Sequence, residues 1–488
     1  MLIQAGEWRP DLPAFESGYA QEALNVIPRH TSYGPVGALL EVGGALTARC
    51  RGAYTARAID GTVSNFAGDA TKLYRYNATT LVWDDVSRLA GGAYSVASDG
   101  FWQFSVFGDI LIAVNGIDAP QAFTLTSSSN FAALGGSPPL GGVTATIGNF
   151  AVLARVNAAE NRIRWSAIND AADWTIAAAT QCDQQDLPTG GRIMGVVGYE
   201  GGGVVFQERS VRLMTYIGSP EIFRIDVIAN VTGTPTEGSI ASYESMVFYQ
   251  SHEGFVMIED GRPTRIGDGK VDRYFLDLLD QDNRFRVTSA IDHKNKLYVI
   301  GFPGTSDSGT PGQILFYHWP SGKWTRAEVS HDLIYSGMTT SALTLDSTPD
   351  DSMDDDTLHG LDSVLWSGAG RFVLAAFTTN FKFATFEGAN LAATVDTFEA
   401  EIIPGKRARI NSLRPMVDGG TPTLAIGVRN RQIDSVSLGS DITVNGYGAV
   451  VVRADGRYLR ARLKVPSAST WTHILGVDDI RANVVGGR

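Results

Sequence analysis

The chain has 488 residues, 44% hydrophobic and 19% charged, which is enough apolar material for a large core and too much length for one ordinary domain. Its 54 glycines and low charge content favour turn-rich β-structure over long amphipathic helices, and the two cysteines, Cys50 and Cys182, show neither metal-ligand spacing nor a disulfide framework. The net charge of −12 is uneven: residues 401–488 hold 13 Lys/Arg against 7 Asp/Glu, leaving 27 against 45 in the first 400, a polarity that argues against a clamp wrapped around nucleic acid.

In chain order, the opening MLIQAGEWRP carries Glu7 and Arg9 with no apolar core of a signal peptide, and no later stretch reaches the length of a membrane span. Residues 1–44 read as an extended arm packing on the rest of the protein, because Pro10, Pro13, Pro28 and Pro35 punctuate it and no hairpin turn fits between them. A strand–turn–strand unit then recurs from Tyr54, Phe104, Thr144, Met194, Ser245 and Val287. This spacing is the period of a four-stranded propeller blade, so residues 45–345 are expected to form a β-propeller of about six blades. Asp60-Gly61, Gly108-Asp109, Gly148-Asn149 and Glu253-Gly254 suit its hairpin reversals. Outer hairpins are expected where the chain reaches Trp83, Trp174 and Trp324, and Val271–Gln281 is the one good helix candidate.

Residues 346–363, DSTPDDSMDDDTLHGLDS, read as a solvated linker. From 364 to 488, alternating segments around Asn445-Gly446 and Asp455-Gly456 predict an antiparallel β-sandwich or platform domain. The fold class is therefore all-β.

Candidate chemistry is sparse. The sequence holds no nucleophile elbow, zinc-binding helix, P-loop or dinucleotide fingerprint, so no catalytic, metal or cofactor residue is assigned. The run Gly198–Gly203 precedes strand-like Val204-Val205-Phe206 and fits a hairpin loop better than a phosphate cradle. His252-Glu253 falls in the turn of a repeat unit and reads as an exposed loop before an acid–base pair. The aspartates around Asp350, Asp351, Asp354, Asp355 and Asp356 offer carboxylates for calcium but lack the EF-hand spacing. The net-basic C-terminal part suggests contact with an acidic partner through Arg453, Arg457, Arg460 and Arg462, with Lys406, Arg407 and Arg409 as a second cluster. The same arginines would equally keep a sheet face soluble.

Four segments, ALNVIPRHTSYGPVGAL (Ala23–Leu39), LDSVLWSG (Leu361–Gly368), GRYLRARLKV (Gly456–Val465) and WTHILGVDDI (Trp471–Ile480), resemble the tail nozzle, or tail hub, proteins of short-tailed bacteriophages, which include the packaged-DNA stabilisation proteins. The resemblance implies a non-enzymatic virion protein, made in the bacterial cytoplasm. It would form a homohexameric ring with outward propellers beneath the portal and adaptor, meet tail fibre or needle proteins, and retain and conduct DNA without sequence-specific binding. Two rival classes are a receptor-binding or polysaccharide-cleaving tail protein and a propeller interaction scaffold.

Overall fold

A computed structural model describes residues 2–13, 18–199, 201–230, 232–340 and 370–485. Among these residues, seven four-stranded antiparallel sheets follow one another as blades. Blades one to six span residues 53–85, 103–133, 143–186, 193–230, 241–265 and 288–328. Each begins with a strand that packs beside the first strand of a neighbouring blade, and side chains lace the blades together. Ser105 meets Thr144 across blades two and three at 2.8 Å, and the Ser336 hydroxyl donates to the carbonyl of Ile291 at 3.0 Å. The ring closes where Asn65 of blade one donates its side-chain amide to the carbonyl of Met338 in blade seven, at 3.0 Å. The protein is an all-β propeller with an added β-platform.

Blade seven accounts for the difference from the roughly six units read in the sequence. Its strands are Leu333–Met338, Phe372–Phe377 and Lys382–Thr385, completed on the outside by Leu40–Ala45 from the other end of the chain. Local self-similarity cannot reveal a blade assembled from three separated segments. In sequence, the expected linker 346–363 falls between the first and second strands of blade seven, and it lies outside the described residues. Residues 372–385, expected in the C-terminal domain, belong to the propeller, and the expected boundary between 44 and 45 cuts a blade-seven strand. The aspartates considered for calcium, and the family-like segment Leu361–Gly368, lie outside the described residues.

The hairpins follow from local chemistry. Gly108 takes φ +58° between Gln103–Phe107 and Ile110–Val114, where an L-residue with a Cβ would be strained. Gly198 is required by proximity: a Cβ there would stand 1.9 Å from the carbonyl oxygen of Thr146 in blade three. The run Gly198–Gly203 lies in the first hairpin of blade four, with Gly198 paired to Gly203. Trp83 and Trp324 occupy outermost strands of blades one and six, Trp174 sits between the third and fourth strands of blade three, and all three are buried. The helix is short, Asp272–Leu278. Its first free N–H groups, on Arg273 and Tyr274, donate to the Asp11 carboxylate at 2.9 and 2.8 Å, which clips the N-terminal arm to the propeller.

The platform is a sandwich. One sheet is built on Ala408–Val417 and Ile474–Val484, with Val450–Gly456 at one edge and the hairpin Val26–Pro28/Tyr33–Pro35 at the other. That hairpin corrects the expectation that no turn fits between the prolines: Pro28 ends an edge strand, where a missing N–H costs no ladder bond. The second sheet is continuous with blade six. Ala23–Leu24 pairs parallel with blade six at Arg326 and antiparallel with Ala393–Asp396, which in turn pairs with Tyr458–Val465. Arg326 and Glu22 seal this joint with two hydrogen bonds of 2.9 and 3.0 Å. Leu413, Leu424, Val450, Leu463, Ile474 and Val477 fill the space between the sheets and are fully buried.

Candidate functional site: the funnel of the propeller and the open face of the platform

At one end of the propeller, the connections into each first strand and those between second and third strands converge around a cavity of 790 Å³. Blades two to six supply most of its wall. Five carboxylates, Asp99, Glu160, Glu208, Glu237 and Asp282, face four guanidiniums, Arg155, Arg192, Arg209 and Arg284, with the rings of Phe101 and Phe285 between them.

Arg155 is the strut of this wall. It sits at φ +56°, in a register shift between the second and third strands of blade three, immediately before a tight turn at Asn157 and Ala158 that also has positive φ. Its guanidinium reaches the short helical turn Glu237–Ser239 that leads into blade five, forming an ion pair with Glu237, and donates to the carbonyl of Gly142 at 2.8 Å. Arg192 reaches Glu160 at 2.9 Å and Glu237 at 3.3 Å. A second set of cations adjoins the funnel on the side of blades six, seven and one. Arg286 donates to Asp332 at 2.6 Å, and Arg51 donates to the carbonyls of Val96 and Ala97. Burial, with the like charges of Arg286 and Arg51, holds Arg49 down to about 10. His252 lines the rim, where its ring nitrogen meets the carbonyl of Glu208 at 3.0 Å, whereas Glu253 pairs with Arg265. The two therefore do not form an acid–base pair.

The C-terminal cations separate into two groups. Lys406, Arg407, Arg409 and Arg453 are exposed. Arg409 is held by Asp455 through two bonds of 2.9 Å, and Arg457, half-exposed, by Glu401. Arg460 and Arg462 lie on the face opposite core residues Leu459, Ala461 and Leu463, but each is engaged with a carboxylate of its own sheet. Arg462 grips the fully buried Asp396 at 2.6 and 2.9 Å, and Arg460 is buried 3.8 Å from Glu399, which also takes Arg429 at 2.6 Å. Alternation places both on one face, where Arg462 stands directly across from Asp396 on the neighbouring strand. Arg414 and Arg481 belong to the exposed outer face with Arg409 and Arg453, as does Val451 at 63% exposure. Tyr447, 88% exposed, stands in the loop leading to the edge strand.

No family model matches the sequence, and no curated protein does either. Among solved structures the chain is similar to the extracellular domain of a one-component system from B. thetaiotaomicron, at 9% identity and TM-score 0.44 over 86% of this chain and 48% of that one. It is also similar to BamB from Moraxella catarrhalis, at 10% identity and TM-score 0.36 over 79% and 97%, and to YCF48 bound to D1 peptide, at 12% and 0.34 over 62% and 86%. The propeller assignment rests on the sheets themselves.

The funnel residues escaped the sequence reading because no catalytic or ligand motif marks them. A usable signal was present: Arg155 lies at the end of the second strand of its blade and Glu208-Arg209 and His252 directly after theirs, so aligning the repeats by that strand brings them together.

Proposed function

We propose that this protein is a non-enzymatic structural subunit of a tail nozzle of the short-tailed phage type, forming a ring that continues the portal–adaptor channel, retains packaged DNA and conducts it during ejection. The observation that carries the reading is the joint between propeller and platform. Ala23–Leu24 welds blade six to the platform in one sheet, so a force on one part reaches the other without a linker. Three of the four family-like segments form this joint and the platform core: Ala23–Leu39 threads both sheets, while Gly456–Val465 and Trp471–Ile480 supply their central strands.

A ring subunit needs a face for its neighbours, and the outer face of the Ala408–Val417 sheet suits one. Arg409, Arg414, Arg453 and Arg481 surround exposed Val451, and Tyr447 stands at the edge, a combination of residue types enriched at interfaces. An acidic partner, such as the remainder of an adjoining copy or the adaptor, is steered to it.

Mass photometry of the purified chain against salt, beside an Arg409→Glu/Arg414→Glu/Arg453→Glu/Arg481→Glu variant, tests the reading. A salt-sensitive hexamer lost in the variant is expected; a trimer, or a monomer at every concentration, contradicts it.

A further inference from the structure

We infer that the propeller funnel is a binding site for a neutral, polyhydroxylated ligand, an oligosaccharide. Its 790 Å³ lies within the range of roughly 300–1,000 Å³ typical of ligand cavities. Charge narrows the chemistry. The wall carries five carboxylates against four guanidiniums in a chain of net charge −12, so a polyanion meets repulsion, and a polycation meets the guanidiniums.

Ligand groups remain after the internal ion pairs are formed. Arg155, Arg192, Glu160 and Glu237 are tied together, whereas Arg209, Arg284, Asp99, Glu208 and Asp282 enter no salt bridge among the described residues. Guanidiniums only donate and carboxylates only accept, so a ligand using both kinds at once must itself accept and donate at closely spaced positions. Sugar hydroxyls do both without carrying charge. Phe101 and Phe285 add ring surface of the kind on which the apolar face of a pyranose rests.

A peptide fits less well. Loops supply most of the funnel wall, and of the innermost edge strands only that of blade four contributes to its lining, through Met194, so a peptide finds little strand edge to pair with. The site is also pre-organised: the Arg155–Glu237 strut ties blade three to the turn that leads into blade five, and Arg51 ties the blade seven–one connection to the carbonyls of Val96 and Ala97. Little ordering is left for binding to accomplish. The inference is of recognition: Asp99, Glu208 and Asp282 are assigned as hydrogen-bond acceptors for the ligand, and no cleavage is assigned to them.

The test uses the full-length protein on an array of neutral glycans, followed by calorimetry with the best-binding tetrasaccharide, a heparin tetrasaccharide and a mixed-charge peptide. Neutral-glycan binding is expected, weakened at least tenfold by Arg284→Ala and by Glu208→Gln, with melting temperatures unchanged because neither side chain enters a salt bridge among the described residues. Absence of neutral-glycan binding, preference for heparin or the peptide, or equal binding by both variants would overturn the inference. Ring formation does not enter the readout, so the outcome is independent of the nozzle reading.

Discussion

Replacing Glu237 by Gln removes one charge while keeping the shape of the side chain that ties blade three to the turn leading into blade five. Arg155 and Glu237 are 11% and 17% exposed, so the guanidinium left behind would be mostly desolvated. A hydrogen bond to a charged group is worth about 1.5–3 kcal/mol, so the variant should lose about 2–3 kcal/mol of stability. Arg155→Gly loses the same ion pair but relieves a left-handed backbone, φ +56°, that costs a non-glycine residue roughly 1–2 kcal/mol. It should therefore cost about 1 kcal/mol, and the double variant should be no worse than Glu237→Gln alone. Urea unfolding of the four proteins, treated as a double-mutant cycle, measures the coupling directly. Amide exchange over residues 143–165 locates the loss. A Glu237→Gln variant within about 0.3 kcal/mol of the parent, or strictly additive effects, would refute the strut.

Asp272 is almost fully buried, and burial raises its carboxyl from 3.8 to about 6, although the Phe255 N–H donates to it at 2.9 Å. Its native state holds the proton more tightly than the unfolded chain, so its stabilisation is complete below pH 4 and disappears as pH rises through 6. Asp272→Asn should match the parent near pH 4 and exceed it by up to about 3 kcal/mol at pH 7–8; a melting-temperature difference independent of pH would contradict this. Gly198→Ala pushes a methyl against the carbonyl of Thr146 and should cost about 1–3 kcal/mol, read as a lower melting temperature, with unchanged melting as the refuting result. Arg326→Met breaks the hydrogen-bonded joint to Glu22 and should make residues 18–25 the first site of limited proteolysis; an unchanged cleavage pattern would show that the joint does not depend on it.

The innermost hairpins of blades one to four and six, and the second hairpin of blade five, were legible because each is local: two adjacent strands around a short turn declare themselves within a short stretch. What stayed hidden was set by distance along the chain. Leu40–Ala45 closes blade seven over Lys382–Thr385, and Ala23–Leu24 joins two sheets by pairing with Arg326 and Thr394, partners that no period connects. The same limit applied to the cations. Period-two alternation placed Arg460 and Arg462 on one face, but only the pairing of their strand with Ala393–Asp396 brings the carboxylates of Asp396 and Glu399 beside them on that face. The funnel is the extreme case, since its charges arrive singly from loops of different blades and acquire meaning only when the propeller closes.

Class averages of the purified protein by electron microscopy test the central claim most directly. A nozzle subunit should give sixfold rings, with a mass six times 52.3 kDa, the platforms inside and the propellers at the periphery. Monomeric particles, threefold particles, or rings with propellers lining the central hole would contradict it.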